Sequence, residues 1–209
     1  MELKKDLIFV HFQEGFFDNT NQDVKNTVKT NLQPLVNNAL KADIHLSFWE
    51  DTTIQNTTSV IPFSVIDKKV SRFEAPAGLN SSYKLHGPEV ILTGGWFGAC
   101  INGAIESIMT SFFNTKALLK TGELTIRMPQ KMVYKFSELL EDISDFNINS
   151  GIQSAFDNST VSNKLIVKER GLRYRIIRSK TQETIAENIV VPAPSQPTEQ
   201  MFDIVFLLD

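Results

Sequence analysis

The chain carries a single cysteine in 209 residues, which excludes an intramolecular disulfide and fits a reducing compartment. Its apolar runs fall far short of the roughly 20 residues that a membrane-spanning helix needs. The opening Met1 to Lys5 leads straight into strand-like sequence instead of a secretory leader. These absences predict a cytoplasmic protein with no membrane partner. There is no basic excess either: 21 Lys and Arg against 24 Asp and Glu give a formal charge of −3. With a pI near 5.7, this argues against a general nucleic-acid binder. No internal repeat or low-complexity tract interrupts the chain, beyond an abundance of Asn, Thr and Ser. What is present is 42% hydrophobic content, enough for a full core.

The most informative stretch is Glu89 to Phe113, EVILTGGWFGACINGAIESIMTSFF. The apolar run Val90-Ile91-Leu92 enters Gly94 and Gly95. A small-residue turn at Gly98 and Ala99 then leads to Cys100. After it, Ile101, Ala104, Ile105, Ile108, Met109 and Phe112 recur at spacings of three and four. The pattern predicts a buried strand, a sharp turn and an amphipathic helix, with the thiol where turn becomes helix. Unpaired N–H groups and partial positive charge at a helix start favour a thiolate and can hold an oxyanion. A buried cysteine also packs as a small hydrophobe, so Cys100 is read either as a nucleophile or as core.

Upstream, Asp6 to Phe12 (DLIFVHF) predicts a strand covered on both faces, with His11 near its carboxyl end. Ligands of open parallel sheets collect beyond that end, so His11 is a site candidate or a hydrogen-bonded core histidine. Asn21 to Ala42 predicts a helix with the stripe Val24, Val28, Leu32, Leu35, Val36 and Leu40, kinked or broken at Pro34. Ile44 to Trp49 predicts a second strand, with His45 structural and Glu50 and Asp51 either facing a ligand or lying in a solvated loop over Asp51 to Ser59. A third strand is predicted around Ser64 to Ile66, followed by a loop through Pro76, Gly78, Asn80 and Ser81. This order indicates a parallel α/β sheet with crossover helices.

Three segments together resemble the isochorismatase-like cysteine hydrolases. LIFVHFQEGFF is similar to the family's opening strand, roughly LLVIDMQNDFF, at Leu7, Ile8, Val10, Gln13, Phe16 and Phe17. VIDKKVSRF is similar to its lysine segment, roughly VIxKxxxSAF, at Ser71 and Phe73. The central stretch is similar to its nucleophile segment, roughly VVLAGVxTxxCVxxTA, with Gly94 six residues before Cys100, Ile101 after it and Ala104 four beyond. The resemblance covers about the first half of the chain. It implies a Rossmann-like, mostly parallel sheet with flanking helices over residues 1–169, with residues 170–209 as a C-terminal β extension packed on the same domain.

It also implies a site. Family members hydrolyse small amides, ureides or enol ethers with an Asp, Lys and Cys triad, and often form dimers or larger oligomers. Carried over, Cys100 takes the nucleophile position, and the lysine is Lys68 or, with a larger slip, Lys69. The amides of Ala99 and Cys100 become the oxyanion donors. The chain departs from the family at the aspartate, where it has His11, a residue able to activate a thiol. It also lacks the histidines of the family's metal motif, roughly DxHxxH, where it reads SFWEDTTIQN, so no metal or other cofactor is expected. Trp96 and Phe97 replace smaller residues and either fill the pocket or stack on a flat ligand. With Phe16 and Ala99 they are the expected substrate-facing residues.

Beyond the central helix, Gly122 to Pro129 predicts a strand and Phe136 to Ile143 a helix. Lys164 to Val167 (KLIV) and Tyr174 to Arg178 are predicted to form a hairpin turning at Gly171. That hairpin carries Lys164, Lys168, Arg170, Arg173, Arg175, Arg178 and Lys180 against Glu169, which marks either an anionic partner or a soluble edge. After a stiff linker at Pro192, Pro194 and Pro197, Met201 to Leu208 predicts an apolar strand that pairs with the hairpin or with a neighbouring subunit. Two functions follow: a cysteine hydrolase acting on a small-molecule amide, ester or enol ether through Cys100, His11 and Lys68, or a catalytically lapsed relative serving as a binding or assembly scaffold.

Overall fold

The computed structural model describes residues 4–17, 22–42, 44–53, 70–134, 148–195 and 200–209. The opening apolar run forms β1 (Asp6–Val10), buried at every position. On one side β1 pairs in parallel with β2 (His45–Glu50), which pairs in turn with β3 (Val70–Glu74). On the other side lie β4 (Glu89–Gly94) and then β5 (Glu123–Met128), also parallel. Three later strands continue the same sheet. These are β6 (Leu172–Arg178), β7 (Glu183–Val191) and β8 (Phe202–Leu208), in the overall order β3-β2-β1-β4-β5-β8-β6-β7. Among the described strands only the β6–β7 pair is antiparallel. The architecture is a Rossmann-like α/β sheet flanked by helices.

Strand alternation sorts the core into two layers. Leu7, Phe9, Leu46 and Phe48 face the helix α2 (Gln22–Lys41), meeting Leu32, Val36 and Ala39 at spacings of four and three. Phe9 and Phe48 stack with centroids 4.6 Å apart. Pro34 lies on the exposed side of this helix without ending it. Ile8, Val10, Leu92 and Ile126 face the opposite way, onto α3 (Cys100–Asn114) through Ile101, Ala104, Ile105, Ile108 and Met109. A helix over Ile148–Asp157 packs outside α3. Among the described residues no helix is long and apolar enough to cross a membrane.

The C-terminal third departs from the sequence reading. KLIV is not a strand but part of a helix over Val161–Arg170. Asn163 and Val167, four residues apart, are buried, while Leu165 and Ile166 are exposed, which is the helical period. Gly171, at φ 82°, donates its N–H to the Val167 carbonyl and stops the helix instead of turning a hairpin. The hairpin is β6–β7, so Lys164, Lys168 and Arg170 belong to the helix. On the hairpin Arg173 faces Glu187 and Asp203, Arg175 pairs with Asp203, and Arg178 faces Glu183. Carboxylates from β7 and β8 therefore offset the charge that suggested an anionic partner. The last strand, β8, is inserted between β5 and β6 of its own chain, hydrogen-bonded to both. The strand expected around Ser64 to Ile66, most of the loop Asp51 to Ser59, Pro197 of the linker and the helix expected over Phe136 to Ile143 lie outside the described residues.

Candidate active site

The sheet reverses its winding at β1, with β2 on one side and β4 on the other, and this is where an open α/β sheet forms a crevice at its carboxyl edge. The expected strand DLIFVHF ends at Val10. His11 follows with φ 54°, a left-handed conformation uncommon for a residue with a side chain. Its backbone N–H bonds Trp49 O at 2.8 Å, while its ring Nε2 bonds Ala75 O at 2.8 Å. A carbonyl only accepts, so Nε2 carries the proton and Nδ1 of the neutral ring is a bare lone pair. Nδ1 is buried and has no hydrogen-bond partner among the described atoms. Phe16 covers the ring at 4.3 Å between centroids. Burial lowers the His11 pKa, outweighing the Ala75 carbonyl and the Asp51 carboxylate, which both favour the charged form. The ring is thus a neutral base.

Asp51, just past the end of β2, is buried and not part of a solvated surface. Gln13 holds its backbone on both sides: Nε2 donates to Asp51 O at 3.0 Å, and Asp51 N donates to Oε1 at 2.7 Å. Burial pushes its carboxyl pKa up, but the Thr53 hydroxyl and amide, His11 and the Ala77 amide together bring it below the ordinary value. The ionised carboxylate acts on both His11 and Cys100, favouring the charged imidazole and disfavouring the thiolate.

A tight turn at Pro76–Gly78, following β3, closes the arrangement. Gly78 has φ +80°, and a Cβ there would lie 1.9 Å from the Cys100 carbonyl oxygen. The missing side chain lets this turn press on the start of α3. The same turn region supplies the Ala75 carbonyl to His11 and the Ala77 amide to Asp51.

Cys100 is the first residue of α3 and is half-buried. The amides directed at its sulfur are those of Trp96 and Cys100 itself. The Ala99 amide, expected as an oxyanion donor, is instead bonded to Trp96 O at 3.1 Å. The Gly95–Trp96 peptide is cis. Burial raises the thiol pKa and Asp51 adds to that; the two amides oppose them without reversing the direction. The resting sulfur is therefore protonated. Trp96 is half-buried and stands edge-on to Phe16 at 6.3 Å between centroids. Phe97, expected to face substrate, is 3% exposed and packs in the core beneath α3. Lys68 and Lys69 lie outside the described residues.

The structure thus groups His11, Cys100, Trp96 and Phe16, and adds Asp51 and Gln13. A carboxylate directly after a strand next to the winding reversal is the signal that points to Asp51. A neutral thiol, a neutral imidazole with a bare nitrogen and two converging amides are the parts needed for base-assisted thiol addition to a carbonyl.

No family model and no curated protein matches the chain. Among solved structures, a Leishmania major chain provisionally named MAR1 ribonuclease is similar, with a TM-score of 0.46 and 12% identity over 81% of this chain and 93% of that one.

Proposed function

We propose that the chain is a cysteine hydrolase of the isochorismatase-like type, acting on a small-molecule amide, ester or related carbonyl compound. The observation that carries this reading is His11 Nδ1: a buried, unprotonated nitrogen without a partner, beside the carboxylate that also acts on Cys100. In the reaction Nδ1 takes the Cys100 thiol proton as sulfur bonds to the carbonyl carbon. The oxyanion rests on the Trp96 and Cys100 amides. The intermediate collapses, and the leaving amine or alcohol departs with the proton from His11. Water, deprotonated by His11, then hydrolyses the thioester and restores the thiol. Lys68 is the expected electrostatic support, and Trp96 and Phe16 the faces against a flat substrate. A free thiol at the centre fits a reducing, cytoplasmic setting, and self-association is compatible with this chemistry.

One observation favours a second reading, a lapsed enzyme that serves as a scaffold: burial and Asp51 hold the thiol protonated. An activated aryl ester separates the two. Hydrolysis with a transient acyl group on Cys100, abolished in Cys100→Ser and reduced about 10²- to 10⁴-fold in His11→Phe, supports the hydrolase. No acylation, or an acyl group that is never released, supports the scaffold.

A further inference from the structure

The two histidines outside the candidate active site lie together at the opposite, amino edge of the sheet. Asp6 and His45 begin β1 and β2 as register partners, and His86 comes from the loop before β4. Asp6 is completely buried, an unusual position for a carboxylate at the head of an apolar strand. Its Oδ1 lies 3.1 Å from His45 Nδ1 and 2.9 Å from His86 Nδ1. Its Oδ2 accepts the His86 backbone N–H at 3.0 Å. The two imidazoles lie against each other with centroids 3.8 Å apart. His45 Nε2 meets Ser71 Oγ at 3.2 Å, and that contact fixes the ring's orientation.

We propose that Asp6, His45 and His86 form a three-ligand site for a divalent transition-metal ion of the zinc class. Two Nδ1 atoms converge on one carboxylate oxygen, and all three donors lie within 4.8 Å of one another. Ligands about 2.0–2.1 Å from a tetrahedral ion sit about 3.3 Å apart, and the two oxygen–nitrogen separations, 3.1 and 2.9 Å, are within a few tenths of an ångström of that. Two imidazoles with one carboxylate suit zinc or cobalt, whereas calcium and magnesium prefer all-oxygen shells. The Ser71 hydroxyl on the far nitrogen of His45 is the outer contact that metal-binding imidazoles use to fix their tautomer. The His86 side chain is 39% exposed, which leaves a route for the ion and a coordination position for water. The length of β1 separates this site from His11, about 16 Å at the usual rise per residue. Its role is therefore to tie β1, β2 and the loop before β4 together.

The test is titration of the purified full chain with Co²⁺ and Zn²⁺. One equivalent of Co²⁺ should give tetrahedral-type visible absorption that Zn²⁺ displaces, and Zn²⁺ should raise the melting temperature by several degrees. Both effects should vanish in His86→Gln and persist in Cys100→Ala. No saturable binding, persistence in His86→Gln, or loss in Cys100→Ala overturns the proposal. If His86→Gln fails to fold, carbethoxylation of the wild-type chain decides: Zn²⁺ protecting His45 and His86 supports the site, and unchanged modification overturns it.

Discussion

His11 occupies a left-handed backbone conformation, held there by its own N–H on Trp49 O and its ring on Ala75 O. These contacts make its protonation state part of the fold. Because burial lowers its pKa in the native chain, the unfolded chain binds that proton more readily. The stability of the neutral ring is complete above about pH 6.5 and is lost as the pH falls toward the lowered value. His11→Phe keeps the contact with Phe16 and removes the titration, so its urea midpoint should change less than the wild type's between about pH 7 and pH 5. Gln13 acts at the same scale. Its amide makes two buried bonds to the Asp51 backbone, and Gln13→Leu leaves both backbone groups unsatisfied. A loss of about 2–4 kcal/mol in denaturant titration is expected. His11 was legible in the sequence because it stands near the carboxyl end of an apolar run, and Cys100 because it stands where a small-residue turn becomes a helix. Asp51 stayed open between a ligand contact and a solvated loop, and Gln13 was read only as a match to an opening strand, since polar residues after a strand look the same whether solvated or turned inward.

The elements that position the site are the turn at Pro76–Gly78 and the start of α3. Their contact depends on Gly78, whose backbone lies against the Cys100 carbonyl. Gly78→Ala forces a positive φ on a side chain and drives a methyl into that oxygen. It should cost several kcal/mol in thermal melts, or displace the turn and with it the Ala75 carbonyl from His11. The strands β1, β2, β4 and β5 and the helix α2 were legible because continuous apolar runs and three-to-four spacing survive in one sequence, whereas β3 at Val70–Glu74 lies beyond the stretch around Ser64 to Ile66 where a strand was expected. The helix over Val161–Arg170 was hidden because Leu165 and Ile166 face outward and leave KLIV looking like a strand. The paired arginines of β6 were hidden for a related reason: Glu183, Glu187 and Asp203 come close only after β7 and β8 are in place. The carboxylate–histidine cluster at Asp6 was equally invisible, since its members come from three distant segments.

At the scale of the molecule, the eight described strands form one continuous sheet in which β8 is an interior strand. β8 bonds β5 over Glu123 to Met128 and β6 over Leu172 to Arg178, and Phe202, Ile204 and Phe206 are fully buried. Removing residues 201–209 exposes two strand edges and the apolar surface beneath them. At about 1.5–3 kcal/mol for each large side chain, that loss is comparable to the usual stability of a domain. The truncated chain should be aggregated or unfolded by gel filtration and circular dichroism. A soluble, folded product would instead make the C-terminal strand an appendage.

The proposed pairing of His11 with Cys100 is tested most directly by the rate of Cys100 alkylation by iodoacetamide as a function of pH, in the wild type and in His11→Phe. The single cysteine makes the signal unambiguous. If His11 Nδ1 takes the thiol proton, the wild-type rate rises with deprotonation of His11, well below the thiol's own raised ionisation, and this early rise disappears in His11→Phe. A single ionisation above the ordinary thiol value of about 8.5, identical in both proteins, would contradict the pairing.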